Sequence, residues 1–343
     1  MRDLIVLRGK SIRFLGYGLS LCILVGLLVY YVFSSSRIQT YRQSRILLDT
    51  VVDITVACSD EKLANQAISE AFYEMQRVEA LFDKYHENSQ IAMINQGDRH
   101  ETIVLTPEVH TLVQRSLDYS LLTDGLFDIT IGGLVDLWGI GTSHEQVPDT
   151  SSLQNILPYI SYKQVSIHPD NSISLQSPNT SLDLGGIAKG YSIDRAIRIL
   201  EQHQIANALV NAGGDIRCIG NKPDGTPWRI GIKHPRKEGI FGIVELEHAA
   251  VATSGDYERF FIHERTRYHH LLDPRTGMPA RECQSVTIIA QTAEQADTLA
   301  TAVFVMGPDR GLAFIERQED VEGMIIQASG EVIVSSGFTF QPM

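Results

Sequence analysis

Cysteine is scarce in this sequence, and its spacing is irregular. The chain has four cysteines in 343 residues, Cys22, Cys58, Cys218 and Cys283, and no two of them form a CxxC pair. Cys22 lies within a long apolar run, which leaves an odd number of widely separated cysteines elsewhere. This distribution argues against a disulfide framework and against a zinc site. We expect the other three cysteines to be small apolar side chains in strands.

Basic side chains are also few relative to acidic ones. The chain has 29 Lys and Arg against 41 Asp and Glu, and residues 1–33 contain four of the basic but only one of the acidic side chains. The rest of the chain therefore carries 25 basic and 40 acidic side chains, a net charge of −15. The phosphate backbone of a nucleic acid would repel a domain with this negative charge, so nucleic acid is a poor partner.

A run of twenty residues without charge, 14–33, differs from the rest of the sequence. At a rise of about 1.5 Å per residue, a helix of this length spans about 30 Å, the thickness of a bilayer's hydrocarbon core. Four basic residues and one acidic residue precede the run. This bias holds the N-terminus in the cytoplasm and places the following chain outside.

Other interpretations of residues 14–33 fit less well. A cleaved signal peptide usually has an apolar stretch of about 7–15 residues and an A-x-A-like cleavage site, of which Ser34-Ser35-Ser36 is a poor version. A lipoprotein needs a small residue directly before the lipidated cysteine, but Cys22 follows Leu21. A buried core helix is disfavoured because the run has no polar face. We therefore expect an uncleaved, single-pass anchor in the inner (cytoplasmic) membrane, with the domain that follows on the periplasmic side.

The sequence predicts four segments. They are a cytoplasmic basic tail over 1–13, a transmembrane signal anchor over 14–33, a linker over 34–44 and one catalytic domain over 45–343. Nothing rich in Pro, Gly and Ser divides the last segment, and 43% of all residues are hydrophobic, which is ample for a core.

Hydrophobic periodicity predicts helices and strands in an order that is neither a repeat nor a regular βα alternation. We expect helices at about 60–82, 106–122, 187–203, 293–305 and 309–317. We expect strands at about 50–57, 207–211, 228–233, 243–248, 284–290, 323–327 and 331–335. This order favours an α+β fold in which helices pack on a mostly antiparallel sheet.

Two glycine pairs lie beside charged side chains. In Ser181-Leu-Asp-Leu-Gly-Gly-Ile-Ala-Lys-Gly190, Asp183 and Lys189 flank a pair that enters a helix, whose N-terminus suits an anion. In Val210-Asn-Ala-Gly-Gly-Asp-Ile216, a predicted strand runs into the pair. Taken alone, each pair is equally compatible with a tight structural turn.

A rigid loop follows the segment Thr253-Ser-Gly-Asp-Tyr257. The loop is His269-His-Leu-Leu-Asp-Pro-Arg-Thr-Gly-Met-Pro279, and its Pro and Gly residues restrict the backbone. It presents His270, which could act as a base or could simply form a hydrogen bond within the loop.

A carboxylate and a hydroxyl share one face of a predicted helix in Gln295-Ala-Asp-Thr-Leu-Ala-Thr-Ala302. Asp297 and Thr301 are four residues apart, so both oxygens lie on the same side. Such a pair suits Mg²⁺, which prefers oxygen ligands and retains waters. A helix cap and a packed threonine are the commoner explanation for an isolated pair.

Five segments, in this order, resemble the motifs of the ApbE family of FAD:protein FMN transferases, over roughly residues 45–340. They are Asp183-Leu-Gly-Gly-Ile-Ala-Lys-Gly190, Asn211-Ala-Gly-Gly-Asp215, Thr253-Ser-Gly255, His270-Leu-Leu-Asp-Pro-Arg-Thr-Gly277 and Ala296-Asp-Thr-Leu-Ala-Thr301. The resemblance implies an ApbE-like α+β fold. It also implies Mg²⁺-dependent transfer of FMN from FAD to a threonine or serine hydroxyl of an acceptor protein, with release of AMP.

The resemblance also implies the roles of individual residues. Asp297, Thr301 and the backbone carbonyl of Gly186 would bind Mg²⁺, and His270 is our candidate for accepting the proton of the acceptor hydroxyl. Residues that would contact FAD are Leu48, Tyr85, Asp183, Lys189 and Leu272.

Two of these FAD contacts, and one further segment, rest on local resemblances. Tyr85 resembles a tyrosine that packs on the flavin, and Leu48 begins Leu48-Asp49-Thr50, where family members often have Met-Gly-Thr. The stretch Asp128-Ile-Thr-Ile-Gly-Gly-Leu-Val-Asp-Leu-Trp138 resembles another cofactor-contacting segment.

Two other activities fit the same residues. If water attacked instead of a hydroxyl, the site would be an FAD pyrophosphatase that releases FMN and AMP. A flavin-binding or flavin-delivery protein would need no metal pair, because a carrier does not activate a pyrophosphate. For a membrane-anchored transferase, we expect the acceptor to be a membrane-associated redox protein.

Overall fold

The computed structural model describes residues 38–96 and 102–343. The predicted cytoplasmic tail, the predicted anchor over 14–33 and residues 34–37 lie outside these ranges. Within them, no helix is both long and apolar enough to cross a membrane.

The described chain folds into helices separated by strands and short loops. The α-helices are α1 (Glu61–Phe82), α2 (Gln90–Gln96), α3 (Pro107–Leu122), α4 (Gly132–Trp138), α5 (Thr150–Ile156), α6 (Gly185–Gln202), α7 (Ala293–Met306) and α8 (Pro308–Ile315). Two 3₁₀ turns, Leu157–Tyr159 and Tyr162–Gln164, follow α5.

The strands fall into one large and three small sheets. In the large sheet lie β1 (Gln39–Leu47), β2 (Thr50–Cys58), β6 (Ala208–Ala212), β7 (Asp215–Ile219), β10 (Ala250–Gly255), β13 (Cys283–Ala290), β14 (Glu322–Gln327) and β15 (Val332–Val334). In the small sheets lie β3 (Ile103–Val104), β4 (Val165–Ile167), β5 (Ser172–Leu175), β8 (Trp228–Lys233), β9 (Ile240–Leu246), β11 (Phe260–His263), β12 (Thr266–His269) and β16 (Gln341–Pro342).

The large sheet has the strand order β1-β2-β6-β7-β10-β13-β14-β15, and every neighbouring pair is antiparallel. The predicted α+β class with mostly antiparallel strands is therefore confirmed. The helices and strands predicted from periodicity are present, with ends that differ by about one to three residues, as is usual for such boundaries.

Residues 39–44, predicted as part of a linker, belong to strand β1 instead. All nine residues of β1 pair with β2, from Gln39 opposite Cys58 to Leu47 opposite Thr50. The strand forms the edge of the sheet and most of its side chains are exposed. A polar edge strand lacks the apolar alternation on which strand prediction depends, so the linker prediction is wrong for this stretch.

Helices α1, α6 and α7 cover one face of the large sheet. Helix α1 begins where Asp60 accepts a hydrogen bond from the Leu63 N–H, and its apolar stripe, including Phe72 and Met75, is fully buried. Helix α7 begins at a capping Thr292 and is buried along almost its whole length. Because α7 is enclosed on nearly all sides, polar residues on it need partners in the protein or in a ligand.

A second, smaller apolar layer covers the other face at the β7–β10–β14 end of the sheet. Strands β8 and β9 pack Trp228, Ile230 and Val244 against residues such as Cys218 and Met324 of the large sheet. The sheet is thus buried on both faces at this end, which fixes the strands that carry part of the site described next.

Candidate active site

Asp297 and Thr301 face the start of helix α6 from helix α7. Asp297 is 6% exposed, and its Oδ2 accepts a hydrogen bond of 2.9 Å from the Gly190 N–H. A Cβ atom at Gly190 would overlap the Ala293 carbonyl, so only glycine allows α6 to approach α7 this closely. The fold therefore orients this carboxylate through the backbone of a neighbouring helix.

Two other segments of the chain lie beside Thr301. Its Oγ1 is 3.4 Å from the Ser254 Oγ at the end of β10. A Cβ atom built on Gly186 would lie 3.9 Å from the Thr301 methyl group, so the first turn of α6 adjoins the same point. The structure thus brings together the three residues predicted to bind metal, Gly186, Asp297 and Thr301, and adds Ser254.

Lys189 forms an ion pair with the buried Asp215 next to Asp297. The Lys189 Nζ lies 2.6 Å from the Asp215 Oδ2, and the Asp215 Oδ1 accepts a hydrogen bond of 3.2 Å from the Thr253 N–H. Burial disfavours the charge on Lys189, but Asp215 and Asp297 outweigh it and raise the pKa of the amine. Lys189, predicted to contact FAD, is a fixed cation between two carboxylates.

The oxygens around Asp297 fit a hard cation. Burial raises the pKa of Asp297 to about 8, with the neighbouring Asp215 acting in the same direction and Lys189 against it. A divalent cation bound beside Asp297 would favour the ionised form of this carboxyl and would offset its charge. Within residues 38–96 and 102–343, no three His, Cys, Asp or Glu side chains are grouped as a metal site. A cation here would depend on one carboxylate with hydroxyl and carbonyl oxygens, which suits Mg²⁺.

The turn between β6 and β7 carries the second glycine pair. Gly213 and Gly214 have φ values of +63° and +102°, and the Asn211 side chain accepts a hydrogen bond of 2.9 Å from the Gly214 N–H. These positive φ values require glycine in a two-residue hairpin turn, which begins β7 at Asp215. The turn therefore requires the glycine pair, and it places the Asp215 side chain next to Lys189.

His270 follows strand β12 and is held by the residue before strand β11. Its N–H donates to the Arg259 carbonyl at 3.1 Å, and its Nδ1 lies 3.2 Å from the same oxygen. A carbonyl can only accept, so Nδ1 carries the proton and Nε2 presents a lone pair. Burial lowers the pKa of His270 well below 6.5, and the nearby charges of Arg259 and Lys189 lower it further. The imidazole is therefore neutral near pH 7 and able to accept a proton.

The loop after His270 is fixed by the stretch that was predicted to contact the cofactor. The Trp138 Nε1 donates a hydrogen bond of 2.7 Å to the Gly277 carbonyl, and the indole is fully buried. Leu272, predicted to line the FAD site, packs its side chain into the same apolar cluster as Leu134 and Trp138. The contact of Leu272 with FAD stays a prediction.

Tyr85 is on the surface near Asp136. Its ring is 66% exposed, and its hydroxyl donates a hydrogen bond of 3.0 Å to the Asp136 Oδ1. An exposed aromatic ring whose hydroxyl is held by a carboxylate is available to pack against a planar ligand.

Asp183, also predicted to contact FAD, interacts with two other residues of the protein through its carboxylate. Its Oδ1 accepts a hydrogen bond of 2.7 Å from the Gly185 N–H, and its Oδ2 lies 3.3 Å from the Lys84 Nζ. Asp183 therefore holds the glycine turn that leads to Gly186.

Leu48 lies in the turn between β1 and β2, with Asp49 beside it. Both residues have φ of 55°, and the Leu48 N–H donates a hydrogen bond of 2.8 Å to the Glu79 Oε1. Asp49 reaches within 3.8 Å of Arg259, the residue that holds His270. The turn is thus at the same end of the large sheet as His270, while the Leu48 side chain packs against the core.

Four residues at the site were not singled out from the sequence: Lys84, Asp136, Ser254 and Arg259. Ser254 and Asp136 lie within segments that the sequence had already marked, and Lys84 directly precedes Tyr85. Their neighbours in the chain were the available signal, but only the packing shows what their side chains contact.

A set of oxygens that fits a cation, a lysine paired with a buried carboxylate and a neutral histidine together suit chemistry at a phosphate ester or anhydride. The sequence matches the model of the ApbE family over residues 48–325, and the chain belongs to that family.

Several curated proteins and solved structures are similar to this chain. It is 33% identical to the FAD:protein FMN transferase of Klebsiella pneumoniae (strain 342), over 88% of this chain and 93% of that protein. It is 30% identical to the protein of the same name from Treponema pallidum (strain Nichols), over 93% of each. The crystal structure of the ApbE protein from Thermotoga maritima superposes with a TM-score of 0.81, at 37% identity, over 87% of this chain and 97% of that one. The flavin transferase ApbE from Vibrio cholerae gives a TM-score of 0.77, at 30% identity, over 88% and 98%.

Proposed function

We propose that this protein is an FAD:protein FMN transferase that uses Mg²⁺ and attaches FMN to a threonine or serine of an acceptor protein. In the reaction, the acceptor hydroxyl oxygen forms a bond to the FMN phosphorus. The bond from that phosphorus to the bridging oxygen breaks, and AMP leaves with the bridging oxygen. Family membership and the name shared by the relatives support the class of enzyme.

The observation that carries the proposal is the meeting of the oxygen set with a neutral histidine at one end of the large sheet. Asp297, Thr301 and the Gly186 carbonyl would hold Mg²⁺, with Ser254 beside them. When bound, the metal supplies positive charge that neutralises the pyrophosphate as its P–O bond breaks. Lys189, fixed by Asp215, adds a second positive charge in the same place.

His270 would take the proton from the attacking hydroxyl. Its Nδ1 donates to the Arg259 carbonyl, which leaves Nε2 as the proton acceptor. The pKa of the ring is lowered below 6.5, so it is unprotonated at the pH of the cell. A base that is already neutral needs no prior proton loss before the hydroxyl attacks.

The test uses the full-length protein purified in detergent, with FAD, Mg²⁺ and a candidate acceptor domain that contains a threonine. We expect a yellow-green fluorescent acceptor band that survives heating on a denaturing gel, because a phosphoester bond holds the flavin. AMP should appear in an amount equal to the labelled acceptor. Free FMN and AMP without labelling, across several acceptors, would favour a pyrophosphatase, and intact bound FAD would favour a carrier.

We also propose that residues 14–33 anchor the protein in the inner membrane, with the catalytic domain on the periplasmic side. The twenty-residue run without charge and the basic residues before it support this. A mature N-terminus found at or beyond Ser36 would contradict the anchor. Protease resistance of the catalytic domain in spheroplasts would contradict the orientation. A membrane-associated redox protein would then be the acceptor within reach.

A further inference from the structure

Lys84 is a buried cation where three helices approach one another. Its side chain is only 5% exposed, and its Nζ donates to the Gly132 carbonyl at 3.0 Å and to the Asp136 Oδ1 at 2.7 Å. The Asp183 Oδ2 lies 3.3 Å from the same nitrogen. Lys84 follows α1, Gly132 and Asp136 lie on α4, and Asp183 precedes α6. One carbonyl and two carboxylates therefore account for all three donors of the ammonium group.

On one side, this lysine acts on Tyr85 through Asp136. The Asp136 Oδ1 accepts from both the Lys84 Nζ and the Tyr85 hydroxyl, at 2.7 and 3.0 Å. The Lys84 Nζ also lies 4.9 Å from the centre of the Tyr85 ring, within the range of a cation–π contact. Asp136 is half exposed, so without the lysine its carboxylate would be free to turn into water. The orientation of the exposed Tyr85 ring thus depends on a buried charge.

On the other side, Lys84 acts on the start of α6 through Asp183. The second oxygen of Asp183 accepts from the Gly185 N–H, and the Asp183 N–H donates to the Ile129 carbonyl, both at 2.7 Å. Asp183 is therefore held at its backbone and at both carboxylate oxygens. The next residue after Gly185 is Gly186, whose carbonyl is a proposed metal ligand.

We propose that Lys84 is a positioning residue, which holds Tyr85 on the flavin side and the Gly185–Gly186 turn on the metal side in the arrangement that binds FAD. This inference rests on the proposed function, because it takes FAD as the ligand of the site. Lys84 also offsets one of the two negative charges of Asp136 and Asp183, which would otherwise disfavour an anionic ligand nearby. Its removal therefore weakens FAD and Mg²⁺ binding more than it slows the chemical step.

The test compares Lys84→Met with the wild type as full-length protein in detergent. Methionine has a similar length and no charge, and it leaves Asp136 and Asp183 without their cation. We expect the KM for FAD, the Kd for FAD and the half-saturating Mg²⁺ concentration each to rise about tenfold, while kcat stays within about threefold. A merely structural role would reduce the amount of folded enzyme and lower kcat without moving KM.

Lys62→Met is the matched control. Lys62 is an exposed residue of helix α1, the helix that Lys84 follows, and it forms no ion pair in the described chain, so its replacement by methionine removes the same charge without breaking an ion pair. It should leave KM, Kd and kcat unchanged. Lys84→Arg, which keeps the charge, should recover at least half of the lost FAD affinity, and it substitutes for Lys84→Met if the latter fails to fold.

A double-mutant cycle with Tyr85→Phe tests the route through Asp136. Because part of the effect passes through the Tyr85 hydroxyl, Lys84→Met should raise the Kd for FAD less in the Tyr85→Phe protein than in the wild type. Equal effects in both backgrounds would overturn that route. An unchanged Kd and KM in Lys84→Met, or equal losses in Lys84→Arg and Lys84→Met, would overturn the inference as a whole.

The two proposals fail in different ways. The Kd for FAD is measured from flavin fluorescence without any acceptor. A wild-type protein that binds FAD but labels no acceptor would contradict the proposed transferase activity. The role of Lys84 in FAD binding could still be measured in that protein.

Discussion

The two halves of the site differ in how the fold holds them. In the proposed metal half, which comprises Lys189, Asp215, Asp297 and Thr301, the charged side chains are held by backbone N–H groups of α6 and β10 and by each other. In the flavin half, which comprises Tyr85, Asp136 and their neighbour Lys84, the ring is exposed and depends on side-chain contacts at the surface. The proposed metal half is thus preorganised, whereas the proposed flavin half leaves an exposed ring that a bound flavin would cover.

The largest effect should come from the metal half. Asp297→Ala removes the one carboxylate of the proposed Mg²⁺ site, and we expect turnover to fall by on the order of a thousandfold. The measurement is AMP release at saturating FAD over a range of Mg²⁺ concentrations. Asp309→Ala, at an exposed aspartate in the first turn of α8, is the control and should keep wild-type turnover. Full activity of Asp297→Ala at low Mg²⁺ would contradict the assignment of the metal site.

His270→Ala should give the next largest effect. Loss of the proton acceptor should lower the transfer rate by on the order of a hundredfold, while the Kd for FAD stays near that of the wild type. Transfer is followed by acceptor fluorescence, and binding by flavin fluorescence. His263→Ala, at an exposed histidine of the β11–β12 hairpin, should change neither. If His270→Ala transferred FMN at the wild-type rate, the proton would have to go elsewhere.

Thr301→Ala should weaken the metal half less than Asp297→Ala does. A neutral hydroxyl contributes less than a carboxylate, so we expect the half-saturating Mg²⁺ concentration to rise about tenfold with turnover recovered at high Mg²⁺. Thr301→Ser keeps the oxygen and serves as the control. Equal defects in Thr301→Ser and Thr301→Ala would indicate that the methyl group matters rather than the oxygen.

Tyr85→Phe should separate the two halves. It keeps the ring and removes the hydrogen bond to Asp136, so we expect the KM for FAD to rise about threefold. The Mg²⁺ requirement should not change, because Tyr85 has no contact with the metal half. A change in the Mg²⁺ requirement of the same size would show that the two halves are not distinct at this residue.

The smallest effect should be a displacement of the pH profile. Because the pKa of His270 is lowered in the folded protein, its neutral form persists below pH 6.5 and is lost only as the pH falls through the lowered value. The acid limb of kcat/KM for FAD transfer should therefore lie below pH 6.5. An acid limb at or above pH 6.5 that disappears in His270→Ala would contradict the lowered pKa.

The helices and the inner strands could be predicted because their apolar residues repeat with a clear period. Helix α1 buries one stripe, and strand β13 is buried over nearly its whole length, so each has a strong local signal. Strand β1 has no such signal, since its pairing with β2 depends on backbone hydrogen bonds at a polar edge. The linker prediction was wrong for that reason.

The candidate site could be predicted in part. Asp297 and Thr301 are four residues apart on one helix, so their shared face follows from the sequence alone. Lys84 and Asp183 are 99 positions apart, and their contact depends on how α1, α4 and α6 pack. The burial of the Leu272 side chain could not be predicted, because the sequence motif does not show that the loop after His270 packs on Trp138.

The most direct test of the central claim is turnover in water enriched with heavy oxygen, with FAD, Mg²⁺ and an acceptor domain. Mass spectrometry then locates the heavy oxygen in the flavin phosphate and in AMP. If the acceptor hydroxyl attacks the FMN phosphorus, the acceptor-bound flavin phosphate and the released AMP carry no heavy oxygen, and their amounts are equal. Free FMN carrying one heavy oxygen as the main product, whichever acceptor is present, would contradict the account, because water would then be the nucleophile.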